Sequence, residues 1–229
     1  MEDVFNVGNC IVFYVEDLVI YLLTISIFLS AIFCIRAKYT KSKNQLLIFK
    51  PLSLLLIICI AIVFPTFDLK YQIFIVLGLL FSLLGDFFII FPEKHFKKSL
   101  IAFLFGHVCY ITAFIVSSKF QLTYWIFLPI AVADFIYLKY ILSYSGKMRI
   151  PVSIYIVVIA NMGWLALERF NSTPTLGTFL AAMGALLFMI SDGVLALNKF
   201  RKPFFSAELI VLSTYFIAQW LLAISVIKA

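Results

Sequence analysis

Charge is what this chain has least of. Only 13% of its 229 residues are Asp, Glu, Lys or Arg, against roughly a quarter in a soluble domain. So few charges cannot keep a globular surface in water, which excludes a soluble fold. Histidine is scarcer still, with two residues, and the four cysteines (Cys10, Cys34, Cys59, Cys109) have no CxxC spacing. Neither a metal site nor a disulfide framework is expected from that supply. The cysteines read as small hydrophobes. No Ser-His-Asp motif, HExxH or phosphate-binding glycine loop occurs. The N-terminus lacks the positive charge of a signal peptide and opens with Glu2 and Asp3. The first apolar run is therefore expected to be retained.

What is abundant is apolar residues, at 64% of the chain with a mean hydropathy of +1.12. A membrane-spanning helix needs about 20 mostly apolar residues. Eight runs qualify: Leu18–Ile35, Leu46–Phe64, Ile73–Phe91, Ser99–Val116, Leu122–Leu142, Ile150–Leu167, Leu176–Leu197 and Phe205–Ile227. They are continuous rather than alternating, which excludes barrel strands. The expected fold is an all-α integral membrane protein, residues 1–229 forming one transmembrane domain of eight helices.

The net charge of +7 belongs to this topology and not to nucleic-acid binding. Thirteen basic residues follow spans 1, 3, 5 and 7: Arg36, Lys38, Lys41, Lys43, Lys94, Lys97, Lys98, Lys139, Lys147, Arg149, Lys199, Arg201 and Lys202. The opposite side holds four: Lys70, Lys119, Arg169 and Lys228. By the positive-inside rule the basic side is cytoplasmic and both termini face away from it. The Ile-, Phe- and Lys-rich composition favours a bacterial inner membrane, with the endoplasmic reticulum membrane as the alternative.

Against this background two intramembrane aspartates stand out. Asp86 lies in Leu84-Gly85-Asp86-Phe87 and Asp192 in Ser191-Asp192-Gly193-Val194. Each costs about 2.5–3.5 kcal/mol on insertion scales, which marks it as functional. The two align 106 residues apart and Tyr110 aligns with Tyr215 within one residue of that offset. This suggests a four-plus-four parallel repeat. Both carboxyls lie about 8–9 Å from the basic ends of spans 3 and 7 at 1.5 Å per residue. Lys50 starts span 2 at the same end. His107 and Asp134 lie about 12 Å in, and Asn161, Tyr215 and Gln219 about 15–21 Å in. A polar cavity open toward the basic side follows from that shared depth. Each residue also has a plain reading. Lys50 can snorkel, Asp134 can pair with Lys139, His107, Asn161 and Gln219 can bond neighbouring helices, and Tyr110 and Tyr215 can simply pack. Small residues on the carboxylate faces, Ser82 and Gly85 on span 3 and Gly184 on span 7, permit close helix approach. Asn171-Ser172-Thr173 also matches the glycosylation sequon.

If the two carboxyls face each other, they titrate as a coupled pair, one holding a proton and one ionised. That is an acid beside a stabilising base, suited to acetal-like carbon–oxygen bonds. A proton-coupled transporter using the same pair is the alternative.

At these residues the chain resembles a known family. Lys50-Pro51, Gly85-Asp86, Gly106-His107 with Tyr110, the run Ser191-Asp192-Gly193-Val194-Leu195-Ala196 followed by Lys199-Phe200, and Thr214-Tyr215 with Gln219 are similar to the YhhN-like lysoplasmalogenases. The resemblance runs from about Lys50 to the C-terminus. It implies an eight-span hydrolase of lysoplasmalogens, with a lysophospholipid substrate, a membrane-lipid environment and no cofactor. Such enzymes cleave the sn-1 vinyl ether of alkenyl-glycerophosphoethanolamine or -phosphocholine. Asp86 and Asp192 are then the candidate catalytic residues. Lys50, His107, Asn161, Tyr110, Tyr215 and Gln219 are candidates for binding substrate, Lys50 and His107 at its phosphate.

Overall fold

A computed structural model describes residues 2–64, 66, 68–118 and 122–227, without the side chains of residues 2–16, 92 and 93. Lys119 and Lys228 of the charge count, and the Cys10 side chain, lie outside these described residues. Of the described cysteines, all free, Cys34 is buried, Cys59 exposed and Cys109 half-buried.

Eight helices long and apolar enough to cross a membrane follow one another, and the chain is a multi-pass membrane protein. They are α1 (Glu2–Tyr39), α2 (Lys43–Val63), α3 (Leu69–Ile89), α4 (Pro92–Val116), α5 (Tyr124–Leu142), α6 (Arg149–Ser172), α7 (Leu176–Ala196) and α8 (Ala207–Ile224). A backbone crossing lipid must satisfy its own polar groups, and only helices or closed barrels do so. Local chemistry sets several ends. Pro92 stands at the first position of α4, where its missing N–H is no loss. Asp68 caps α3 by accepting from Tyr71 N at 3.1 Å, and Thr175 forms a capping box with Thr178 at α7.

Several helices run past the expected spans, α1, α4 and α6 the furthest. α1 extends back to Glu2, because Glu16 and Asp17 interrupt the apolar run without breaking a helix. α6 continues beyond Leu167 to Ser172, since its charges there find partners within the bundle. Glu168 is buried and accepts the Thr123 hydroxyl, and the Arg169 guanidinium lies 4.1 Å over the Tyr71 ring. Asn171 of the sequon falls within this last turn of α6.

Six helices close a ring. α2 packs on α3, α3 on α4, α4 on α6, α6 on α7, α7 on α8, and α8 returns to α2. α1 leans on α2 and α8 from outside, and α5 on α6. Hydrophobic burial does not drive helices together in lipid, so close contact at small residues matters more. Gly85 admits the Phe103 ring, which would lie 2.8 Å from an added Cβ, and Gly184 admits the Ala218 carbonyl at 3.0 Å. The half of the ring away from the basic loops is filled by Ile57, Ile75, Leu79, Phe114, Ala181 and Leu222, all fully buried.

Candidate active site

The ring's other half, at the basic-loop end, is polar, and every ring helix contributes to it. α2 delivers Lys50, α3 Asp86, α4 Phe103 and His107, α6 Tyr155, α7 Asp192 and α8 Tyr215. The two carboxylates do not bond to each other. Each has its own partners.

Asp86 is wholly buried. Lys50 Nζ lies 2.9 Å from its Oδ1, and Tyr215 donates to its Oδ2 at 2.7 Å. The Lys50 ammonium also lies 5.6 Å from the centre of the Tyr215 ring. A buried ion pair with a further hydrogen bond compensates both desolvated charges. Lys50 therefore does not snorkel. It turns inward and is itself nearly buried.

Asp192 is partly exposed, its side chain at 11%. Tyr155 donates to its Oδ2. His107 Nε2 stands 3.7 Å from the same oxygen, beyond hydrogen-bond reach. The histidine ring is buried edge-on against Phe188, at 4.7 Å between centroids, and Tyr155, at 5.2 Å. Neither of its nitrogens has a hydrogen-bond partner among the described residues.

Two cavities meet at Asp192. The first, about 310 Å³, is polar and lies at the basic end; it reaches Lys50, Asp86, Tyr215, Asn198, Lys199 and Glu208. The second, about 440 Å³, is apolar and runs between α5 and the ring, along Pro129, Tyr137, Val152, Ile156, Ile159 and Met189. Asp134 lines this apolar cavity. Ile89, Phe96, Phe103, Asp192 and Leu195 line both. Pro129 and Ala133 are exposed on α5, so the apolar cavity reaches the lipid-facing side. Past Ala196, α7 widens into a π turn, Leu197–Arg201, which carries Asn198 and Lys199 to the cavity. Such turns recur at functional sites.

The expected residues are distributed unevenly. Lys50, Asp86, Asp192 and Tyr215 line the polar cavity. His107 sits behind Asp192. Tyr110 and Gln219 are deeper still, bonded to each other at 2.7 Å, Tyr110 donating. Asn161 is not brought to the site; it donates to Val157 O on its own helix at 2.7 Å. Its place as the polar contribution of α6 is taken by Tyr155. A tyrosine in an apolar span reads as packing, but depth was a usable signal. Tyr155 is six residues into α6, about 9 Å from its end, the depth of both aspartates.

The chain is similar in sequence to known proteins. A sequence model of the YhhN family matches residues 45–226. The chain is 35% identical over 162 residues to a human protein named lysoplasmalogenase TMEM86A, covering 68% of this chain and 65% of that one. It thus matches slightly under two thirds of that relative's length. Human lysoplasmalogenase TMEM86B is 34% identical over 66% of this chain and 62% of its own. An Escherichia coli membrane protein named YhhN is 30% identical over 86% of this chain and 95% of its own. No solved structure matches.

Proposed function

The chain belongs to the YhhN family, and we propose that it is a lysoplasmalogenase, hydrolysing the vinyl ether of alkenyl-glycerophospholipids to a fatty aldehyde and the glycerophospho head. The observation that carries this reading is the junction at Asp192. A polar cavity and an apolar one share that carboxyl in their wall. A lysolipid with its head in the first and its chain in the second would lay its sn-1 linkage across Asp192.

The chemistry follows from the vinyl ether. A proton must reach the β-carbon of the double bond, which leaves an oxocarbenium ion at the carbon bearing oxygen. Water adds there and gives up a proton. The hemiacetal then collapses to aldehyde and the free glycerol hydroxyl. Asp192 delivers the first proton as general acid and recovers one from water. Tyr155 fixes its Oδ2 and leaves Oδ1 for the proton. Asp86 contributes by position and charge. Lys50 and Tyr215 hold its two oxygens in place, so that it is a preorganised partner for the cation that forms. Lys50, engaged with Asp86, acts on that carboxylate first and on a phosphate second.

A proton-coupled transporter needs a path to the far end of the bundle. The half of the ring away from the basic loops is packed with the fully buried Ile57, Ile75, Leu79, Phe114, Ala181 and Leu222, which favours the hydrolase reading. The test is purified protein in detergent with a lysoplasmalogen and with its saturated 1-O-alkyl analogue. Aldehyde release from the first alone supports the proposal, and release from neither overturns it.

A further inference from the structure

The mouth of the polar cavity carries charges of both signs that the chemistry above does not use. Lys38 Nζ lies 3.4 Å from Glu208 Oε1, with side chains 35% and 29% exposed. Lys199 lines the same mouth, its ammonium 5.1 Å over the Phe96 ring. The loop beneath is held in place. Asn198 Oδ1 accepts from Phe204 N at 3.2 Å, and Tyr39 donates to Phe205 O at 2.9 Å.

A glycerophospholipid head brings an anion and, in two common forms, a cation. Those two cations differ in what can recognise them. Ethanolamine ends in a primary ammonium with three N–H donors, which a carboxylate accepts in charge-assisted hydrogen bonds. Choline has no N–H and is recognised by open aromatic faces. The aromatic lining of this cavity is Phe96, Phe103 and Tyr215. Phe96 already carries Lys199 and packs edge-on against Phe200, 6.0 Å between centroids. Tyr215 carries Lys50, and Phe103 stands edge-on against Tyr215 at 6.1 Å. The rings are engaged by cations or by one another, while Glu208 offers a carboxylate at the rim.

Building on the hydrolase reading above, we propose that this cavity selects a phosphoethanolamine head group over phosphocholine. Lys199 takes the phosphodiester, and Glu208 takes the primary ammonium in exchange for Lys38.

Saturated 1-O-alkyl lysophospholipids carry the same head groups without the vinyl ether. Their binding, measured by calorimetry in detergent, reports head-group choice whether or not cleavage occurs. The wild-type protein should bind the ethanolamine lipid about tenfold more tightly than the choline lipid. Glu208→Gln should bring the ethanolamine lipid down to the level of the choline lipid and leave the latter unchanged. Lys38→Met, which removes the competing ammonium, should widen the ratio and covers the case in which Glu208→Gln fails to fold. Equal wild-type affinities overturn the proposal, as does a Glu208→Gln protein that loses both lipids alike or a Lys38→Met protein with an unchanged ratio. Equal binding with intact aldehyde release strikes head-group selection alone. A tenfold ratio with no aldehyde release strikes only the hydrolase.

Discussion

Asp86 on α3 is enclosed, with Lys50 and Tyr215 on its two oxygens. Asp192 on α7 takes one tyrosine hydrogen bond and stands in the wall of two cavities. The residue type and the end of the bundle are the same, but the surroundings differ. An enclosed carboxylate paired with a buried lysine is a fixed charge. A carboxyl at an opening, held by one phenol, can exchange a proton with something that enters. Equal spacing along two helices thus does not make a symmetric dyad, and the two aspartates are assigned unequal work.

The largest effect is expected on the Asp86 side. Lys50→Met strands a buried carboxylate, which should cost about 3–5 kcal/mol of stability. Thermal unfolding in detergent reads that loss. Adding Asp86→Leu to Lys50→Met should restore most of it, and a double variant no more stable than the single one would deny the ion pair its role. Next comes the packing that places the wall between the cavities. Gly85→Ala puts a Cβ 2.8 Å from the Phe103 ring, and such overpacking costs about 1–3 kcal/mol. On the Asp192 side the expected effect shifts from stability to rate. Tyr155→Phe should lower kcat about tenfold, the scale of one ordinary hydrogen bond, with KM unchanged. A raised KM at constant kcat would instead make Tyr155 a substrate contact. Smallest of all is Asn161→Ala. Its amide serves only its own helix, so stability should stay within about 0.5 kcal/mol and aldehyde release should not change.

Much of this was legible in the sequence because lipid imposes simple rules. Apolar length placed the eight helices, and loop charge placed the polar end. Helix ends were less legible where charged side chains fold back into the bundle, as Glu168 and Arg169 do at the end of α6. Depth picked out Lys50, Asp86, Asp192 and Tyr215, but depth says nothing about direction around a helix. Asn161 therefore shares the depth of the site and yet lies on another face of α6, while Tyr155, at the depth of the aspartates, reads by its type as a packing residue. Partner choice was the least legible. Nothing along the chain announces that Lys50 pairs with Asp86 and not with Asp192, since that depends on how α2 and α3 turn toward each other inside the ring.

The unequal division of labour is tested most directly by aldehyde release per folded molecule from purified wild-type and Asp192→Asn protein. A loss of at least about 10²-fold is expected, the scale of general acid catalysis, with the unfolding temperature unchanged. An Asp192→Asn protein that still releases aldehyde at the wild-type rate would contradict it.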